Sequence, residues 1–220
     1  MSTTKGLNSD VRHSNDEYIT PTWSIRRFLE AYPIPTDVML FDPCAARGEL
    51  IATVKTVLPN KWLAAEINPN HAEALGTVTG LPPEVVCADF LKMPRPAAPD
   101  PSVITVSNPP YRYGLEFIDQ ALAFTKIVSY LLRINFLADG RDRAGVMGRL
   151  NPALFVLPNR PSFNGYGGDA CEYAWFVFGD ERIAGRWFEL GQTPDVEIKT
   201  WNAAARKRYP NEDPKKRKAA

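Results

Sequence analysis

The sequence predicts an α/β fold: a seven-stranded, mostly parallel sheet with helices on both faces. Three observations lead there. Short apolar runs bounded by Gly, Pro and Asn recur from Val38 onward, as strands buried on both faces do. Helical or turn-rich segments separate those runs, as the crossovers of parallel strands require. The chain has 220 residues, 45% of them apolar, enough for one substantial core.

The elements follow in order. MSTTKGLNSDVRHSNDEY is polar and lacks the apolar centre of a signal peptide, so residues 1–16 read as a flexible segment. Thr20 then caps a helix with Pro21 at its first position, and Ile25, Phe28, Leu29 and Tyr32 share one face. The first strand spans Val38 to Asp42, the second Trp62 to Ile67, and a short helix from Asn68 to Gly76 is entered through Pro69. Val85 to Asp89 reads as the third strand, MPRPAAPDP as a surface connection, and Val103 to Ser107 as the fourth strand. Leu115 to Lys126 is apolar over most of its surface, as a buried helix is, and runs at Val128 to Leu137, Leu154 to Leu157 and Ala174 to Phe178 complete the sheet. This places one folded domain over residues 17–180 and an extension over 181–220, whose RKRYPNEDPKKRKAA end reads as a frayed basic tail.

The net charge of +1 argues against a protein that acts as a polycation, while leaving room for a local basic face. Cys44, Cys87 and Cys171 form neither a C-x-x-C pair nor an even disulfide framework, and histidine occurs only at 13 and 71. The reading is a reduced, cytoplasmic protein with no metal site, and no stretch has the length of a membrane span.

Strand ends carry the chemistry. The first strand runs into FDPCAARGEL, where Asp42, Pro43, Ala45 and Gly48 make a small-residue turn open to close ligand approach; a tight strand-to-helix turn accounts for the same residues. The second delivers Glu66, whose two oxygens suit the two hydroxyls of a ribose or, alternatively, a helix cap. The third delivers Asp89 and Phe90, an acceptor for an exocyclic amine beside a ring that fits the face of an adenine. The fourth ends in Asn108-Pro109-Pro110-Tyr111: the prolines cannot continue a central strand, so the chain leaves the sheet at the edge where α/β proteins bind ligands.

Taken together these segments resemble the S-adenosylmethionine-dependent DNA adenine-N6 methyltransferases. EYITPTW, DPCAARG, AAEINP and CADF are similar to that family's cofactor motifs, SNPPY to its catalytic motif, and LLRINFL and RPSFNGYGGDACEYAWFVF to its later strands. The resemblance implies a Rossmann-like class I methyltransferase fold. It implies S-adenosylmethionine held by Tyr18, Thr20, Pro21, Asp42, Pro43, Ala45, Gly48, Glu66, Asp89 and Phe90, with DNA as partner. Phe163 would flank a flipped-out base or, alternatively, pack in the core at a hairpin end, and the adjacent NGYGG would close over the nucleotide. Two departures stand out. Ala46 replaces a usual glycine, and residues 180–220 are too few for a separate target-recognition domain, as in small phage-type members.

The chemistry needs acceptors. Adenine's amine is a poor nucleophile because its lone pair is delocalised, and acceptors on its two hydrogens return density to the nitrogen. Asn108 offers its side-chain oxygen, Pro109 its carbonyl, and Tyr111 a ring on which the extruded base stacks. The motif also serves enzymes that methylate a protein glutamine or an RNA guanine, and a silent nucleic-acid-binding scaffold would keep the same crevice. Pro43-Cys44 imitates the nucleophile of cytosine-C5 enzymes but sits in the cofactor turn, where a small buried residue is the plainer reading. Arg141, Arg143, Arg149, Arg160 and the Lys215 to Lys218 tail are candidate phosphate contacts or ordinary solvated charges.

Overall fold

The first strand forms where predicted, as β1 (Met39–Asp42), and the sheet grows outward from it on both sides. A computed structural model describes residues 19–138, 140–168 and 170–213. The other strands are β2 (Trp62–Ala64), β3 (Asp100–Ser107), β4 (Thr125–Arg133), β5 (Ala153–Val156), β6 (Tyr173–Phe178) and β7 (Trp187–Glu189). They lie in the order β2-β1-β3-β4-β6-β5-β7. Pairings from β2 through β4 are parallel, β6 runs antiparallel between β4 and β5, and β7 joins β5 in parallel.

Two cores lie against this sheet. On one face pack α1 (Thr22–Ala31), α2 (Glu49–Lys55) and α3 (Ala72–Thr79), through Phe28, Ile51, Val54 and Leu75. Phe28 stacks on Trp175 at 4.8 Å and meets Phe155 edge-on, so the apolar stripe read from the sequence is the face α1 buries. The opposite face takes α5 (Gly114–Phe124), through Phe117, Ile118 and Ala121, and α6 (Arg141–Leu150), through Met147. Every residue of β6 is buried because both its faces are covered.

Several expectations are corrected. Val85 to Asp89 is not a strand: Pro82 and Pro83 open a helical turn, α4 (Pro83–Val86), and only Cys87 bridges to Glu66. The seventh strand is instead β7, hidden from sequence inspection because its three residues are half exposed. Pro21, not Thr20, occupies the cap position of α1, with no side-chain cap; its carbonyl accepts from the Ser24 amide and hydroxyl. Thr125 already belongs to β4, in keeping with its β-branched side chain, and β4 ends at Arg133 in a tight turn over Ile134–Leu137. The presumed frayed end is helical through Arg208, as the last turn of α7 (Asp195–Arg208); Lys215 to Lys218 lie outside the described residues. Among the described residues no helix is long and apolar enough to cross a membrane.

Candidate active site

β1 lies between β2 and β3: α2 carries the chain from β1 over one face to β2, while α5 carries it from β3 over the other face to β4. Strand order therefore reverses between β1 and β3, the switch point at whose carboxyl side open α/β sheets bind their ligands. Asp42 ends β1, Ser107 ends β3, and the two are joined across that point. The Ser107 hydroxyl donates to Asp42 Oδ1 at 2.6 Å, and the Cys44 amide reaches the same oxygen at 3.3 Å. Since that hydroxyl hydrogen is committed to Asp42, the Cys44 thiol, 3.0 Å away, donates to Ser107 Oγ; it also lies 3.7 Å from the Asn108 carbonyl. A chain of polar contacts thus ties the turn after β1 to the start of the tetrapeptide.

Burial sets the electrostatics. Asp42 is 2% exposed, and loss of hydration pushes its carboxyl up to about 7; the Ser107 and Cys44 hydrogen bonds oppose this, while Glu66 and Glu49 add to it. The Cys44 thiol is raised by burial first and by Asp42 next, so it stays protonated as a donor.

The turn itself depends on two left-handed residues, Ala46 (φ +47°) and Gly48 (φ +85°). A Cβ on Gly48 would also sit 3.1 Å from Val78, so close packing of α3 demands the glycine as much as any ligand does. Ala46 adopts the twist at a cost, and its amide thereby donates to Glu66 Oε2 at 2.7 Å, while the Asn68 amide reaches Oε1 at 2.8 Å. Each Glu66 oxygen has accepted one bond and retains acceptor capacity. Asp89 caps the turn over Phe90–Lys92 by accepting from the Leu91 amide, and its other oxygen meets Lys92 at 2.9 Å. Phe90 is a correction: its ring is 2% exposed and packs among Phe41, Phe117 and Phe124, so it belongs to the core and not to a nucleobase face.

At the tetrapeptide Asn108 is half-buried and Pro109 buried. Tyr111 opens a tight turn, Tyr111–Tyr113, and its hydroxyl donates to Asn108 Oδ1 at 2.8 Å. The Tyr111 ring lies 5.8 Å from that of Tyr173, with the Arg133 guanidinium 5.3 Å from the Tyr111 centroid and Arg133 Nε donating to the Tyr173 hydroxyl at 3.0 Å. Phe163, 9% exposed, meets the other side of this cluster edge-on, 5.4 Å from Tyr173. Within the NGYGG segment Gly165 packs on α7, where a Cβ would overlap the Asn202 carbonyl, and just before it Trp201 Nε1 donates to the Ser162 carbonyl.

The structure therefore brings Asp42, Glu66, Asn108 and Tyr111 to one edge, with Pro43 and Ala45 buried in the turn between them. Thr20 and Pro21 are buried at the entrance to α1, and Tyr18 lies outside the described residues. Arg160 is engaged by Glu172, Arg149 is exposed, and the Arg143 guanidinium covers the Phe136 ring at 4.3 Å. Sequence reasoning missed Ser107, Tyr173 and Arg133. A polar residue closing an apolar strand run was the available signal for Ser107; the other two needed the β4–β6 register, which pairs Arg133 with Tyr173.

No protein-family profile matches the chain, and no curated protein matches it. Solved structures do. One is the methyltransferase subunit of a type I restriction-modification system from Streptococcus thermophilus, with a TM-score of 0.58, 14% identity, and coverage of 87% of this chain and 53% of that one. The type I restriction enzyme EcoKI M protein gives a TM-score of 0.58 at 11% identity over 85% of this chain and 53% of that chain. The 23S rRNA methyltransferase ErmE gives 0.54 at 14% identity over 86% and 77%. The chain thus spans about half the length of the restriction-modification subunits it resembles.

Proposed function

We propose that this chain, whose fold is the Rossmann-like fold of class I methyltransferases, methylates the N6 amine of adenine in DNA using S-adenosylmethionine. The observation that carries the reading is Asn108-Pro109-Pro110-Tyr111 at the end of β3, directly across the switch point from the Asp42 to Gly48 turn and Glu66.

The residues fit the cofactor. Glu66, 8% exposed and oriented by two backbone amides, retains acceptor capacity suited to a ribose diol, and the left-handed turn at Ala46 and Gly48 aims the Ala46 amide at Glu66. Asp89 would face the adenine amine, and the entrance to α1 at Thr20 and Pro21 the carboxylate end. When bound, S-adenosylmethionine supplies a sulfonium methyl group open to direct displacement.

This chain's own residues prepare the amine. Asn108 Oδ1 accepts one amino hydrogen and the Pro109 carbonyl the other, which favours a pyramidal, electron-rich nitrogen. Two pyrrolidine rings restrict the turn, and the contact between the Asn108 carbonyl and Cys44 orients the preceding peptide. The Tyr111 hydroxyl occupies only one acceptor position of Asn108 Oδ1, so a second remains for substrate. Tyr111 offers its ring to the base, and Phe163 backs the cluster through Tyr173.

The test is label partition. With methyl-labelled S-adenosylmethionine and DNA, RNA and protein supplied together, label is expected in DNA; label in RNA or protein alone, or none at all, contradicts the reading. Asn108→Ala should retain cofactor affinity by calorimetry while losing transfer.

A further inference from the structure

The turn that carries the tetrapeptide continues into Arg112 and Tyr113, which the chemistry above does not use. Both are exposed, Tyr113 to 43%, and the Arg112 guanidinium lies 5.4 Å from the Tyr113 ring centroid. Tyr113 keeps part of its ring accessible next to the tetrapeptide, and the turn that presents it is tied down at both ends. The Tyr113 amide closes on the Pro110 carbonyl at 2.9 Å, and Gly114 sits so tightly on Phe136 that a Cβ there would lie 2.7 Å from the Phe136 ring. Fixed geometry is what a stacking surface needs, because little entropy remains to be lost when a base settles on it.

We propose that Arg112 and Tyr113 form a docking platform for the nucleotide next to the methylated one, with the neighbouring base stacked on Tyr113 and its phosphate met by Arg112. Aromatic faces accept any base, and a planar guanidinium both stacks and pairs with phosphate, so the pair suits a strand of nucleic acid regardless of sequence. Tyr111 and Tyr113 occupy the two ends of one three-residue turn, so the extruded base and its neighbour are held by a single element. The inference rests on the nucleic-acid reading of the site above, whose chemistry is a strand shared by DNA and RNA.

Fluorescence anisotropy with labelled single strands of each kind tests it without requiring turnover. Tyr113→Ala is expected to weaken binding about tenfold with the salt dependence unchanged, and Tyr113→Phe to stay within about twofold. Arg112→Ala should lower the slope of log affinity against log salt by about one. Strands carrying an abasic site at each position in turn locate the contact: at one position beside the target adenine, the unaltered chain should lose the same factor and Tyr113→Ala should lose nothing more. Tyr113→Ala binding like the unaltered chain, or losing as much as the unaltered chain at every abasic position, overturns the platform. Methyl transfer to DNA with unchanged Tyr113→Ala binding rejects the platform alone; Tyr113-dependent binding confined to RNA keeps it and rejects DNA as substrate.

Discussion

Ala46 holds a left-handed backbone that costs an L-residue about 1–2 kcal/mol, where glycine would pay no such steric penalty. Its amide is what matters to Glu66, and glycine keeps that amide. Ala46→Gly loses about 0.5–1 kcal/mol to unfolded-chain entropy, so a net gain of about 0.5 kcal/mol is expected. The urea midpoint should rise with cofactor affinity unchanged; a fall in midpoint would show the turn is not strained. At Asn108 the expectation is chemical. If Asn108 is the acceptor the proposed chemistry requires, Asn108→Ala should lower kcat by about 10²–10³-fold with little change in cofactor Kd, read by steady-state kinetics and calorimetry.

Among the elements, α7 spans what the sequence placed apart. It reaches α1 through the Arg27–Glu197 ion pair, α2 through Arg208–Glu49, and the 160s loop through Trp201 and Asn202. Gly165→Ala would drive a Cβ into the Asn202 carbonyl at a φ of +83°, so a loss of at least about 2 kcal/mol of stability is expected in denaturant unfolding. An unchanged midpoint would mean the loop does not bear on α7. This helix was illegible because its sequence, DVEIKTWNAAARKR, is mostly polar and buries only Ala205 fully. The strands β1, β3 and β6 were legible because burial on both faces writes continuous apolar runs, whereas β7 is short and half exposed. Val85 and Val86 imitated a strand, yet the prolines before them set a helical turn. That Asp42, Glu66 and Asn108 come to one edge was readable because the carboxyl ends of parallel strands converge by topology; Phe90 was misread because an aromatic at that edge packs into the core as readily as it faces outward.

For the whole molecule, the buried carboxyl at the switch point couples stability to pH. Asp42 titrates at about 7 in the fold against an ordinary 3.8, so between these values the folded chain binds the proton and the unfolded chain does not. Its contribution to stability therefore falls as pH climbs from about 4 to 7 and is flat above that. Asn at this position imitates the protonated acid and still accepts from Ser107 and Cys44, so Asp42→Asn should flatten this component and leave the variant more stable at alkaline pH by ~2–4 kcal/mol. Parallel pH profiles of the two chains in chemical denaturation would contradict it. The sheet places that acid, the Glu66 turn and the tetrapeptide at one edge, where the proposed transfer to an amine would occur. The most direct measurement digests DNA to nucleosides after incubation with the chain and S-adenosylmethionine, then weighs them by mass spectrometry. N6-methyldeoxyadenosine formed by the unaltered chain, and formed at least about 10²-fold more slowly with Asn108→Ala, is the predicted result; a methyl group on any other base, none at all, or equal initial rates from both chains would contradict it.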